Sequence, residues 1–110
     1  MSSVESGAVT WSWWTLDAMS PLHLLSALKL RQDVFVVEQA CIYPDIDDID
    51  RSALHLLGQS GEDETVAYLR LIAPGESFPE PAIGRVVVAP SARGGGLARL
   101  MMKEGLTRAA

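Results

Sequence analysis

Three consecutive valines, a proline and three consecutive glycines run straight into a helical pattern, and this stretch constrains the chain more than any other. Val86, Val87 and Val88 are β-branched and suit a buried strand. Pro90 stops that strand, and Arg93, Gly94, Gly95 and Gly96 lead into an apolar helical pattern that starts at Leu97. A helix that begins at a glycine run exposes free backbone N–H groups and the positive end of its dipole. With so little side chain in the way, a pyrophosphate can sit directly on those amides. Two common phosphate loops are excluded by spacing. A Walker loop ends in Gly-Lys-Ser/Thr, whereas this one ends Gly-Gly-Leu-Ala, and the Rossmann fingerprint fails where Arg99 replaces its last glycine. An ordinary glycine-rich strand-to-helix turn is the bland alternative.

The rest of the chain supplies a small α+β domain. Residues 1–8 read as a loose tail and residues 9–110 as one domain. Val9 to Leu16 is strand-like, with Trp11 and Trp13 on one face. Ser20-Pro21 is a helix start, with Ser as N-cap and Pro at the first helical position. Leu22, Leu25, Leu28 and Phe35 give that helix its expected apolar stripe, and a second short turn covers Val36 to Gln39. From Cys41 to Ser52 comes a loop carrying Asp45, Asp47, Asp48 and Asp50. It lacks the glycine and glutamate of a calcium loop, while Ile46 and Ile49 suggest that it packs onto something. Leu54–Gly58 and Thr65–Ala73 form an expected antiparallel hairpin in which Arg70 is a lone charge that needs a partner. His55 reads as a structural histidine. In the last helix Ala98, Met101, Met102, Gly105 and Ala109 are the expected buried side, and Arg99, Lys103 and Thr107 the wet one.

Composition narrows the function classes. With 110 residues the chain buries about two-thirds of its unfolded surface, enough for one core. A net charge of −5 argues against non-specific nucleic-acid binding and is compatible with an amine as substrate. Cys41 is the only cysteine, so no internal disulfide or cysteine metal cluster is expected. No apolar run reaches the roughly 20 residues of a membrane span, and the first residues carry no basic segment, so the expected location is cytoplasmic.

Arg93-x-x-Gly96-x-Ala98 after a valine strand resembles the acyl-CoA signature of the GNAT N-acetyltransferases. The run from Leu30 through Val34-Phe35, Glu38-Gln39 and Tyr43-Pro44 to Asp50 resembles the ElaA branch of that family. His55–Gly58, Ala67–Arg70 and Ile83–Val88 fit the same branch in order, so the likeness covers about residues 20 to 110. It implies the N-terminal part of the GNAT fold: a mixed, mostly antiparallel sheet flanked by helices, in the order β-α-α-β-β-β-α. It implies transfer of an acetyl group from acetyl-CoA to a primary amine, with no metal. Val86, Val87 and Val88 would bind the pantetheine arm as an added strand. The amides of Arg93, Gly94, Gly95, Gly96, Leu97, Ala98 and Arg99 would hold the pyrophosphate. Glu38 and Asp47 are the candidate proton acceptors.

Arg31-x-x-Val34-Phe35 and Asp45-x-Asp47-x-x-Asp50, with Arg70 and Arg85, also resemble the acyl-homoserine lactone synthases, which share the fold. Arg31, Asp45, Asp50, Arg70 and Arg85 would form a charged network that either positions substrate or neutralises the acidic loop. Members of the fold continue with a fifth strand, a helix and a closing hairpin, whereas this chain stops at Ala110. The expectation is a truncated chain, or one completed by a homodimer mate or a complementing chain. The alternatives left open are a non-catalytic acyl-CoA-binding module, an inactive fragment, and acyl transfer of the lactone-synthase kind.

Overall fold

The computed structural model describes residues 3–6, 9–61 and 64–110. Five strands form one antiparallel sheet in sequence order: β1 (Ser3–Ser6), β2 (Val9–Thr15), β3 (Leu54–Gln59), β4 (Thr65–Ile72) and β5 (Ala82–Val88). Two helices flank it, α1 (Pro21–Arg31) and α2 (Leu97–Ala109). The expected loose tail therefore contains a strand: Ser3–Ser6 pairs with Ser12 to Val9 of β2. Residues 1, 2, 7 and 8 of that tail lie outside the described residues. Every pairing among the described strands is antiparallel, so the parallel component of the expected mixed sheet is absent from them.

β3 and β4 are buried on both faces because a helix covers each side. On one face α2 packs Met101 against Trp11, Trp13, Leu56, Leu69 and Leu71. On the other, α1 packs Ala27 and Leu30 against Leu57, Tyr68 and Val87. Trp11 and Trp13 share the first face, as alternation requires, and both are core residues. Each buried tryptophan removes about 150–250 Å² from water, worth about 4–6 kcal/mol as an upper estimate. Trp13 also donates Nε1–H to Glu104 Oε1 at 3.2 Å, which ties the first core strand to the last helix. α2 lies so close to the sheet that a Cβ on Gly105 would stand 3.1 Å from Ile83 Cδ1 and 3.2 Å from Leu69 Cδ2.

α1 starts as its sequence dictates: Pro21 is the first helical residue, and Ser20 Oγ accepts the His23 N–H at 3.2 Å. Its buried side differs from the expected stripe. Ala27, Leu30, Arg31 and Val34 face the sheet, while Leu22 and Leu25 are exposed. A helix with leucines on nearly every side does not say which stripe the sheet will choose. The helix does not end at Arg31 but continues through Gln32–Glu38 with wider π-type turns. On α2, Met101 and Gly105 are buried, Met102 and Ala109 are packed at the margin, and Ala98 is exposed, contrary to expectation.

One irregularity shapes the edge of the sheet. Gly84 pairs with Arg70 and Val87 with Tyr68, so Arg85 and Val86 together stand opposite Leu69. This is a β-bulge, and Arg85 adopts φ 53°, a left-handed conformation rare outside glycine.

Candidate functional site

The acidic loop folds inward onto three arginines. Asp48–Arg51 forms a 3-10 turn whose start is locked by reciprocal bonds between Asp47 and Asp50, including Asp47 N–H to Asp50 Oδ2 at 3.2 Å. That turn aims Asp45, Asp47 and Asp50 at Arg31 from α1, Arg70 from β4 and Arg85 from the bulge. Arg31 is almost fully buried and spends all five of its donors. Nε bonds Asp45 Oδ2 at 3.0 Å, one terminal nitrogen bonds Asp50 Oδ1 at 2.9 Å and Tyr68 Oη at 3.3 Å, and the other bonds the Asp45 carbonyl at 2.8 Å and Asp50 Oδ2 at 3.1 Å. Arg70 grips Asp47 with both terminal nitrogens, at 2.6 and 3.0 Å, and reaches Asp50 Oδ1 at 3.0 Å. Arg85 meets Asp45 Oδ1 at 2.9 Å and Asp47 Oδ2 at 3.3 Å, and its guanidinium lies over the Tyr43 ring. Three positive and three negative groups thus balance in a web in which, among the described residues, Arg70 Nε is the one fully buried arginine nitrogen without a hydrogen-bond partner.

His55 and Tyr68 complete the web, and Tyr68 is the member that the sequence reading missed. His55 Nε2 lies 3.0 Å from the Asp50 carbonyl, which can only accept, so Nε2 carries the proton. Nδ1 is then an acceptor for the Tyr68 hydroxyl, whose oxygen in turn accepts from Arg31. Tyr68 and Arg70 are two apart on β4 and pair with Leu57 and His55, so one sheet face presents all of them. That alternation was the signal available for Tyr68. Burial pushes the His55 imidazole below its ordinary pKa, although the Asp50 carbonyl opposes this. Burial likewise pushes the Tyr68 phenol well up. For Asp50, burial works upward, but Arg31 and Arg70 outweigh it and hold the carboxyl below its usual range. The Arg70 fork holds Asp47 low as well.

A second group of expected site residues lies at the free edge of β5. Gly94 and Gly96 take φ of 88° and 82°, which glycine alone adopts without strain, and Gly96 caps α2 without a side chain. A Cβ on Gly94, Gly95 or Gly96 would meet nothing within 4 Å, so the space above the turn is open. Leu100 N–H to Gly96 O is the bond that starts the helix, and the amides before Leu100 have no partner within it. Ala89 N–H bonds Val66 O at 2.7 Å, and antiparallel partners alternate, so Val88 points its amide and carbonyl off the sheet. Val87 is buried against α1, and Val86 is exposed. Arg93 does not reach into the space over the glycines. It donates Nε–H to Val88 O at 3.0 Å and forks onto Glu38 at 2.9 and 2.7 Å. Arg93 holds the Glu38 carboxyl below its usual range. Glu38 and Asp47, the two candidate proton acceptors, are therefore both ion-paired and belong to different clusters. Between α1, its π extension and the acidic loop runs an open groove of about 760 Å³, lined by Leu25, Leu28, Val36, Val37, Tyr43 and Ile46.

A sheet wrapped by two helices, with a bulged edge strand running through a glycine turn into a helix, defines an acyltransferase fold of the GNAT class. The Acetyltransferase (GNAT) family model matches residues 18–110, and the chain belongs to that family. Within it the likeness is to ElaA and the UPF0039 proteins. ElaA of Escherichia coli is 36% identical over 100 residues, covering 89% of this chain and 65% of ElaA. A UPF0039 protein of Synechocystis is 42% identical over 91 residues, covering 83% of this chain and 59% of that relative. The chain thus spans about three-fifths of the curated relatives it matches. Among solved structures, an acyl-CoA N-acyltransferase from Pseudomonas aeruginosa superposes with TM-score 0.85 at 35% identity, covering 92% of this chain and 70% of that one. Escherichia coli ElaA superposes with TM-score 0.84 at 35% identity, covering 92% and 69%.

Proposed function

We propose that this chain carries the acyl-CoA-binding part of an N-acetyltransferase that moves an acetyl group from acetyl-CoA to a primary amine of a small molecule or peptide. The observation that carries this reading is the glycine turn: two left-handed glycines, open space above them, and free amides at the start of α2. Amides from Gly94 to Arg99 would seat the pyrophosphate, whereas the Arg93 N–H, also expected there, is spent on the Pro90 carbonyl at 3.4 Å. The outward edge of Val88, with Val86 on the bulge, would pair with the pantetheine arm as an extra strand. Acetyl-CoA would supply a thioester whose carbonyl carbon forms the new bond to nitrogen as the carbon–sulfur bond breaks and the thiolate leaves. An outward valine-strand amide would stabilise the charge that builds on the carbonyl oxygen. The groove beside Tyr43 is the proposed seat of the acceptor's apolar part, because the Arg85 guanidinium joins it to the bulge.

The amine must be neutral to attack, and its proton must go somewhere. Glu38 and Asp47 are both held ionised by arginines, so each is a weak base that would collect the proton through water. That pairing also favours a second reading, a non-catalytic acyl-CoA-binding module. Calorimetric titration with acetyl-CoA, followed by an amine screen, tests both. Saturable binding with acetyl transfer supports the enzyme, saturable binding without transfer to any amine supports the module, and no binding by the folded chain defeats both.

A further inference from the structure

Among the described residues, Glu38–Arg93 is the one ion pair outside the buried web. It also sits on the two groups that acyl-CoA needs most. Arg93 Nε–H occupies the carbonyl of Val88, which faces the free edge where a pantetheine amide would donate. The terminal nitrogens of Arg93, one residue before the glycine turn, are occupied by both oxygens of Glu38. A carboxylate that meets an arginine fork in this two-pronged way offers the same geometry as two phosphoryl oxygens.

Glu38 reaches this position through backbone that is not ordinary helix. Gln32–Glu38 is wound in π turns, which Gln39 N–H to Val34 O and Cys41 N–H to Val36 O close at 3.1 Å each. Ala40 follows in the left-handed region at φ 50°. The wider winding turns Glu38 to a different side from the one an α-helix would give it, and that side faces Arg93. Both side chains are open to water, at 39% and 45% exposure, so the bond exchanges readily.

We propose that Glu38 is a resident stand-in for phosphate. Its carboxylate holds the Arg93 fork across the edge of β5, and acyl-CoA enters by replacing that carboxylate with its own phosphoryl oxygens while Arg93 releases Val88. Glu38 thereby sets the affinity for acyl-CoA, a role separate from its proposed part in collecting the proton. This inference rests on the acyl-CoA reading of the glycine turn.

The test is a calorimetric titration of acetyl-CoA into the wild type, E38Q, R93Q and the double variant at low salt. Glu38→Gln keeps the side chain's size and removes its charge. E38Q is expected to bind about two- to five-fold more tightly than the wild type, the range set by an exposed ion pair, with an unchanged melting temperature. R93Q and the double variant are expected to bind equally, because the gain requires a freed Arg93. Equal or weaker binding by E38Q beside a wild type that binds overturns the stand-in and leaves the acyl-CoA reading intact. A gain that persists without Arg93 overturns it too. No binding by the wild type or E38Q defeats both.

Discussion

The buried web and the glycine turn make opposite use of polar groups. In the web, five arginine donors on Arg31 meet five acceptors, and the His55–Tyr68 relay closes on itself. Such a centre has little left to offer a ligand. At the turn, Gly94–Gly96 leave space and free amides, and the one side chain that could fill the gap, Arg93, lies back along β5. On the proposed function, an acidic motif that looks chemical serves mostly as scaffold, whereas a stretch almost without side chains is the proposed binding surface. The web fixes the bulge and the bulge shapes the edge, so the first region serves the second at a distance.

The largest effect should come from cutting the web at its centre. Arg31→Met leaves Asp45 and Asp50 buried without their main partner, which costs about 3–5 kcal/mol. A small domain has roughly 5–15 kcal/mol in total, so urea unfolding should show a chain at the margin of stability. A loss under about 1 kcal/mol would mean that the loop holds without Arg31. The turn should respond in the opposite way. Gly95→Glu puts a carboxylate in the proposed phosphate seat at a glycine that is not left-handed, so stability should hold while acetyl-CoA affinity falls at least about 100-fold. Gly95→Gln should lose less. Equal affinity in calorimetry for both variants and the wild type would move the pyrophosphate elsewhere.

A third effect separates the regions by pH. His55 is neutral and buried, facing Tyr68, the Asp50 carbonyl, Arg31 and Arg70, and its pKa in the fold lies below that of the unfolded chain. Its contribution is complete above the unfolded value near 6.5 and is lost as pH falls toward the folded one, at about 1.4 kcal/mol per pH unit. Asp47 and Asp50, also depressed, add a further loss below about pH 4. Unfolding free energy should therefore drop as pH falls below about 6.5, and His55→Asn should flatten that slope. A slope that persists in the variant would place the titrating group outside the web.

Much of this was legible in the chain. Ser20-Pro21 gave the helix start, the valine run and the glycines gave the edge strand and its turn, and the lone charge of Arg70 required the partners it has in Asp47 and Asp50. What could not be read has physical reasons. α1 has leucines on nearly every side, so periodicity chose Leu22 and Leu25 where the sheet chose Ala27, Leu30 and Val34. The π winding of Gln32–Glu38 leaves no trace in composition, and it decides that Glu38 meets Arg93. The bulge falls on an arginine, where propensity would have asked for glycine, and only tertiary ion pairs explain it.

That last feature yields the smallest and sharpest prediction. Arg85 holds φ 53° at a cost of about 1–2 kcal/mol to a residue with a Cβ, offset by its contacts with Asp45 and Asp47. Arg85→Ala loses those contacts and keeps the strain, while Arg85→Gly loses the contacts and the strain together. The glycine variant should be the more stable of the two by about 1 kcal/mol in urea unfolding. If alanine were equal or better, the bulge would not need the left-handed residue, and the web's hold on the edge strand would rest on the Arg85 side chain alone. The expected order instead makes backbone and side chain separate supports, one local to β5 and one reaching back to the acidic loop.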